Sequence, residues 1–140
     1  MNDKCFVDTN ILVYTQDLAA GEKCLRAQAL TRELWESHTG VISTQVLQEL
    51  YIALRRKLKS PLSAFQAEEI LHDYFEWEIV INNRESVVRA IDIESRYGIS
   101  FWDALMLQAA EKAGAKTVYS EDLSHRGTYA GVLVVNPFLS

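Results

Sequence analysis

Apolar and polar positions along the chain fall into two kinds of segment, short continuous apolar runs and longer stretches with helical spacing. The short runs, such as Cys5-Phe6-Val7, are typical of strands buried on both faces of a sheet. These runs predict strands at residues 4–9, 41–43, 77–81, 116–119 and 132–135. Spacing of three and four residues predicts helices at 22–37, 44–58, 60–74, 84–97 and 101–113.

The helical segments carry two more detailed predictions. In the first long helix, the pattern places Leu25, Ala29 and Leu30 on the apolar stripe. Ser60-Pro61 is expected to cap the third helix, with proline at the first helical position. Strands that alternate with helices predict an α/β fold, in which helices wrap a short parallel central sheet of about four to five strands.

Length and composition indicate an ordinary globular chain. The 140 residues, 49% of them hydrophobic and 24% charged, predict a single domain over residues 1–140. No apolar run approaches the ~18 residues that span a bilayer, and Asp8 interrupts the apolar start that a signal peptide would need. Cys5 and Cys24 form no paired motif and are expected to be buried thiols of a cytoplasmic protein.

Two acidic residues follow predicted strands. Asp8 comes directly after the first strand, and Asp122 lies in the loop after strand 116–119. The carboxyl ends of parallel strands share one edge of a sheet, where ligands usually bind. The alternatives are a helix-capping turn at Asp8 and a plain polar turn near Asp122. Either Glu121 or Asp122 could point inward; Asp122 is preferred, because Ser120 can then orient the loop.

Two further acidic residues lie on predicted helices, beside apolar positions. Glu49 shares a side of helix 44–58 with Val46 and Ala53, unless it is a boundary residue that reaches solvent. Asp103 lies on the apolar face of helix 101–113, although it also stands three residues after Ser100, as in a capping box. A carboxylate beside a buried face is unfavourable unless it is paired, protonated or bound to a metal.

If these four acids meet, their repulsion calls for a cation. Unit charges ~4 Å apart repel by about 4 kcal/mol at an effective dielectric constant near 20. Oxygen ligands select Mg²⁺ or Mn²⁺ over zinc, and the isolated histidines, expected at the surface or its boundary, are His38, His72 and His125. Such a cation polarises a phosphoryl oxygen and lowers the pKa of water, which suits hydrolysis of a phosphodiester.

The net charge of −5 argues against general attraction to nucleic acid, although a local basic group and a bound cation still permit action on RNA. Removing the four acids would leave 14 basic and 15 acidic residues, a charge of −1. A basic group at the end of helix 44–58 is either a solvated helix end or a binding site for phosphate or for an acidic protein segment: Arg55, Arg56, Lys57 and Lys59. The tryptophans expected in the core are Trp35, Trp77 and Trp102.

The acids occur in four short motifs, FVDTN at 6–10, STQVLQEL at 43–50, SFWDA at 100–104 and SEDL at 120–123. In this order the motifs resemble those of PIN-domain nucleases, and more narrowly those of the VapC-type toxins of type II toxin–antitoxin pairs. The resemblance covers essentially the whole chain. It implies a PIN-like three-layer α/β/α fold.

The resemblance also implies a function. It implies a homodimeric endoribonuclease that depends on Mg²⁺ or Mn²⁺ and is restrained by a cognate antitoxin. The cysteines and the apolar runs already favour a cytoplasmic protein that is not bound to a membrane. The residues implied as catalytic and metal-binding are Asp8, Glu49, Asp103 and Asp122. Supporting polar residues would be Thr9, Asn10 and Ser120.

Two other functions remain to be weighed. One is a catalytically silent module of the same fold that binds RNA or protein, although such a module has no need of four mutually repelling carboxylates. The other is a phosphotransfer enzyme with Asp8 as phosphoacceptor. Asn10 stands where the Asp-x-Asp motif of such enzymes has its second aspartate, which argues against it.

Overall fold

The computed structural model describes residues 3–139, which are built around one mainly parallel β-sheet. Within that range the strands are β1 (Cys5–Val7), β2 (Gly40–Ser43), β3 (Glu78–Val80), β4 (Thr117–Tyr119), β5 (Thr128–Tyr129) and β6 (Val132–Val135). Their order across the sheet is β3-β2-β1-β4-β6-β5, and only β5 runs antiparallel to its neighbour. The predicted α/β class is confirmed, with six strands in this part of the chain rather than four to five.

Helices flank the sheet. They are α1 (Thr9–Tyr14), α2 (Glu22–Ser37), α3 (Thr44–Arg56), α4 (Ala64–Tyr74), α5 (Arg84–Tyr97) and α6 (Phe101–Ala113). Helix α6 packs against β2, β3, β4 and β6, and α5 packs against α6. Helix α1 contacts α2 and α3, which both reach β2, while α4 packs on α3. Among residues 3–139, no helix combines the length and apolar character needed to cross a membrane.

Strand β1 lies at the centre of the sheet and brings distant loops together. Phe6 and Val7 are fully buried, and β1 pairs in parallel with β2 on one side and β4 on the other. Val7 is in register with Tyr119, and the backbone N–H of Asp8 donates to the carbonyl of Tyr119 at 2.9 Å. The residues that follow β1 and β4 are therefore neighbours at one edge of the sheet.

Helix α4 begins later than predicted. Ser63 is its N-cap, and its hydroxyl accepts a hydrogen bond from the Gln66 N–H at 3.1 Å. The Gln66 side chain in turn accepts from the Ser63 N–H at 2.9 Å. The predicted cap at Ser60-Pro61 was wrong, because this reciprocal box satisfies two N–H groups at the helix start.

The buried face of α2 also differs from the prediction. Leu25 is 66% exposed and Ala29 is exposed as well. The fully buried positions are instead Cys24, Ala27, Thr31 and Leu34. The polar residue Thr31 tolerates burial because its hydroxyl donates to the Ala27 carbonyl at 3.0 Å. The buried positions follow a helical spacing of three and four residues, and Leu25 lies outside the face that they form.

The cysteines and histidines lie close to where the sequence predicted them. Cys24 is buried, Cys5 is half-buried, and both are free thiols. His38 and His72 are exposed and His125 is half-buried, which confirms their expected surface or boundary positions.

Candidate active site

The four acids are carried by four different parts of the fold. Asp8 follows β1 and is the N-cap of α1, whereas Glu49 lies in the middle of α3. Asp103 lies in the first turn of α6, and Asp122 lies in the loop after β4. All four line one cavity of about 240 Å³. The structure thus places side chains from four distant sequence motifs around the same space.

Several of the proposed supporting residues hold these carboxylates by hydrogen bonds. The Ser120 hydroxyl donates to Asp8 Oδ2 at 2.8 Å, and the Thr9 N–H donates to Asp8 Oδ1 at 2.6 Å. The Thr9 hydroxyl donates to Glu49 Oε1 at 2.7 Å. Ser120 also accepts from the N–H of Asp122 at 3.2 Å. Asp8 therefore serves both as a helix cap and as a member of the acidic cavity, so its two sequence readings coexist.

The acidic cavity has an unfavourable charge balance. Asp8 is only 8% exposed, and burial raises its pKa from 3.8 to about 7, with the charges of Asp122 and Glu49 adding to the rise. Burial also raises the pKa of Asp103. Across residues 3–139, none of the four acids forms a salt bridge with Lys, Arg or His. Their charges are thus left without a protein counter-charge.

A second, larger cavity opens beside the first, between α1 and α3. Its volume is about 630 Å³, and it shares Asp8, Glu49 and Asp122 with the smaller cavity. Asn10 and Lys57 also line it. The Oδ1 atom of Asn10 is buried and has no hydrogen-bond partner in the protein. The combined space therefore offers further oxygen ligands and one basic side chain next to the acids.

The donor set matches a hard divalent cation in kind and in charge, because every carboxylate and amide group offers oxygen. The buried Gln45 Oε1, which lines the smaller cavity, also lacks a hydrogen-bond partner. Within residues 3–139, no three or more His, Cys, Asp or Glu side chains lie close enough together to hold a metal ion as they stand. The residues fit such a cation chemically, while their spacing is wider than that of a closed metal site.

Glu121 points away from this space, although it precedes Asp122 in the chain. Its carboxylate forms an ion pair with Lys23 and accepts a hydrogen bond from the Tyr14 hydroxyl at 2.7 Å. Burial pushes the pKa of Glu121 upward, but the hydrogen bonds from Lys23 and Tyr14 outweigh it and lower the pKa overall. Of the two adjacent acids, Asp122 is the one that lines the cavities.

The four members of the predicted basic group do not all face the larger cavity. All four are exposed, and of these four Lys57 alone lines the larger cavity. Arg55 instead donates a hydrogen bond to the Tyr51 hydroxyl at 3.0 Å along α3. A single lysine, rather than the whole group, therefore faces the space beside the acids.

Sequence reasoning missed two residues at this site. Gln45 donates to Glu49 Oε2 at 3.3 Å and to the Trp102 carbonyl at 3.1 Å, which links α3 to α6. Its position one helical turn before Glu49 was an available signal. Trp102 is 62% exposed and lines the smaller cavity, so its predicted core position was wrong. Phe101 and Leu105, one turn apart, take the inward positions and leave Trp102 facing outward.

The chain is similar to known proteins in sequence profile and in structure. The model of the PIN domain family matches residues 5–130. Curated protein sequences give no match. A toxin–antitoxin complex from Klebsiella pneumoniae contains a chain with 18% identity and a TM-score of 0.68, with coverage of 96% of this chain and 98% of that one.

Two further solved structures show the same fold. VapC20 of Mycobacterium tuberculosis, described as a sarcin–ricin loop cleaving toxin, is 21% identical with a TM-score of 0.68, covering 93% of this chain and 99% of its own. VapBC2 from Rickettsia felis, bound to a promoter DNA fragment, contains a chain 18% identical with a TM-score of 0.66. That alignment covers 93% of this chain and 96% of the other. At these identities the likeness establishes the fold.

Proposed function

Because this chain belongs to the PIN domain family, we propose that it is an endoribonuclease dependent on Mg²⁺ or Mn²⁺ and the toxin of a toxin–antitoxin pair. The observation that carries the proposal is the smaller cavity, which four acids line without a salt-bridge partner in residues 3–139. Asp8 is buried, Asp103 is half-buried, and Glu49 and Asp122 are exposed. A purely structural role for the buried Asp8 would be expected to include a Lys or Arg partner, because an unpaired buried charge destabilises a fold. A site for a divalent cation instead requires acids whose charges no Lys or Arg neutralises.

The proposed roles follow from the contacts. The cation would be held by Asp8, Glu49, Asp103 and Asp122, and when bound it supplies Lewis-acid chemistry, polarising a phosphoryl oxygen and lowering the pKa of water. Ser120 and Thr9 orient the carboxylates of Asp8 and Glu49 through the hydrogen bonds described above. These donors are neutral, so they fix the direction of each carboxylate without cancelling its charge.

Lys57 is proposed to bind a phosphate of the RNA that enters the larger cavity. A lysine ammonium acts on phosphate as a mobile point charge. The remaining basic side chains at this end of α3 would add attraction over a longer range. Because the protein is acidic overall, this local attraction is needed to bring RNA to the site.

The toxin assignment is supported by the complexes in which chains of the same fold occur. The Klebsiella chain is part of a toxin–antitoxin complex, and the Rickettsia chain is part of VapBC2 bound to promoter DNA. We propose that this chain likewise binds a cognate antitoxin, and that it forms a homodimer and acts in the cytoplasm. The RNA that it cleaves is to be identified by sequencing the cleaved ends.

The test is cleavage of end-labelled transfer RNA, messenger RNA and a ribosomal RNA fragment, with Mg²⁺ or Mn²⁺ and with EDTA. Asp8→Asn should lower cleavage by more than about 100-fold, since even outer-shell partners of metal ligands are worth about 10–100-fold. The matched control is Asp73→Asn, an exposed acid on α4, which should cleave as well as the wild type. Cleavage that persists in EDTA, or in Asp8→Asn, would refute the proposed mechanism.

One observation favours the alternative of a catalytically silent module that binds RNA or protein. In the described part of the chain, no three acids are close enough together to hold an ion. Titration with Mn²⁺, followed by the electron paramagnetic resonance signal of the free ion, separates the two functions. Binding of Mn²⁺ that is lost in Asp8→Asn supports the nuclease, and no binding supports the silent module.

A further inference from the structure

The loop that carries Asp122 is anchored at both of the preceding residues. Ser120 is buried and links Asp8 to the backbone N–H of Asp122. Glu121, next in the chain, bonds to Tyr14 at 2.7 Å and pairs with Lys23. The carboxylate of Asp122 is exposed. Its position over the cavity thus depends on where its two predecessors are held.

The partners of Glu121 form a compact cluster. The Lys23 Nζ lies 5.2 Å from the ring centroid of Tyr14 and 5.3 Å from that of Phe138. The two rings meet edge to face at 5.2 Å. Tyr14 closes α1, Lys23 lies in the first turn of α2, and Phe138 belongs to the C-terminal segment. Helices α1 and α2 therefore both hold the side chain of Glu121, and Phe138 packs against the two residues that do so.

This cluster joins the two parts of the fold that carry Asp8 and Asp122, two of the acids proposed to hold the cation. Tyr14 lies on α1, the helix that Asp8 caps, whereas Glu121 lies in the loop of Asp122. The contact between Tyr14 and Glu121 therefore sets how far the Asp122 loop stands from α1. Ser120 supplies a second link between the same two parts.

We propose that Glu121, Lys23 and Tyr14 form a clamp of positioning residues that holds Asp122 in place and so strengthens divalent-cation binding. The inference rests on the proposed function, because it concerns the same cavity. It adds three residues outside the acidic quartet and gives the paired acid, Glu121, a role distinct from that of its neighbour.

Lys23→Met gives a test in which simple electrostatics and the clamp predict opposite signs. Removing a positive charge near the acids should, by Coulomb's law alone, tighten cation binding. Losing the clamp should weaken it, by about fivefold if the ion pair contributes at the upper end for exposed pairs. Binding is measured from the resonance signal of free Mn²⁺, which requires no activity.

Three further variants complete the design. Lys23→Arg keeps the charge and the donor and should bind Mn²⁺ within about twofold of the wild type. Tyr14→Phe, which removes only a hydroxyl, should weaken binding in the same direction as Lys23→Met. Arg89→Met breaks a comparable ion pair, with Glu111 at 2.8 Å between α5 and α6, and should leave Mn²⁺ affinity unchanged.

The outcomes separate this inference from the proposed function. Lys23→Met that is folded by circular dichroism and binds Mn²⁺ as tightly as the wild type, or more tightly, overturns the clamp alone. Equal weakening in Lys23→Met and Arg89→Met also overturns it, because the effect would then be general destabilisation. A wild type that binds no Mn²⁺ overturns the proposed function and the clamp together.

Discussion

Replacing Asp8 with asparagine should stabilise the metal-free protein at neutral and alkaline pH while abolishing its proposed activity. In the fold, burial raises the pKa of Asp8 from 3.8 to about 7. The folded protein therefore retains a proton that the unfolded chain releases above about pH 4. The resulting stability is fully present below the unfolded pKa and is lost as the pH rises through about 7.

The size of the effect follows from the pKa values. A rise from 3.8 to about 7 corresponds to about 4 kcal/mol, at about 1.4 kcal/mol for each pH unit. Asp8→Asn does not titrate, so its free energy of unfolding should stay level over this range. At pH 8 it should exceed the wild type by about 3 kcal/mol, after about 1 kcal/mol for rearranging the hydrogen bond with Ser120.

The assay is urea unfolding followed by circular dichroism, in EDTA, at pH 5, 6, 7 and 8. Asp73→Asn serves as the control and should follow the wild-type curve, because this acid is exposed on α4. Adding Mg²⁺ at pH 8 should raise the free energy of unfolding of the wild type and leave that of Asp8→Asn unchanged. If the free energy of unfolding in EDTA depended on pH in the same way for the wild type and Asp8→Asn, burial would not raise the pKa of Asp8 as argued.

Three other substitutions test the packing, a helix cap and the RNA surface. Gly40→Ala would place a Cβ 2.6 Å from the Trp77 ring and should lower the free energy of unfolding by about 1–3 kcal/mol in urea titrations; an unchanged midpoint would contradict this packing. Ser63→Ala should cost about 1 kcal/mol in the same assay, because it removes the cap of α4, and no loss would mean that the cap contributes nothing. Lys57→Ala should weaken RNA binding in filter assays and reduce its salt dependence more than Lys59→Ala, since only Lys57 lines the cavity; equal effects would refute that distinction.

Element boundaries were predictable where the sequence carries one unambiguous signal. Helix α5 spans the predicted range and ends at Gly98, in the left-handed conformation that glycine favours. Helix α4 was predicted to begin at Ser60-Pro61, whereas the structure begins it with the box formed by Ser63 and Gln66. This start depends on reciprocal hydrogen bonds and on docking of the preceding Leu62 N–H onto the Leu54 carbonyl at 3.0 Å.

It was predictable that the four acids line one cavity, because each acid either follows a strand or stands beside apolar positions of a helix. The direction of adjacent side chains in a loop carries no such signal. Glu121 turns outward because Tyr14 and Lys23, 107 and 98 residues away in the chain, hold its carboxylate. The exposure of Trp102 was hidden for a related reason, because its neighbour Phe101 occupies the inward position on α6.

The hydrogen-bond and ion-pair partners of each acid separate the carboxylates proposed to hold the cation from those that are neutralised within the protein. Glu121 and Glu111 are each matched with a cation, Lys23 and Arg89, which neutralises them where they stand. Asp8 is less exposed than either, yet its donors are a hydroxyl and a backbone N–H, which orient a carboxylate without cancelling its charge. A buried acid held this way destabilises the empty fold. Below about pH 7 a proton can relieve this charge, and under the proposed function a bound cation would balance it at higher pH.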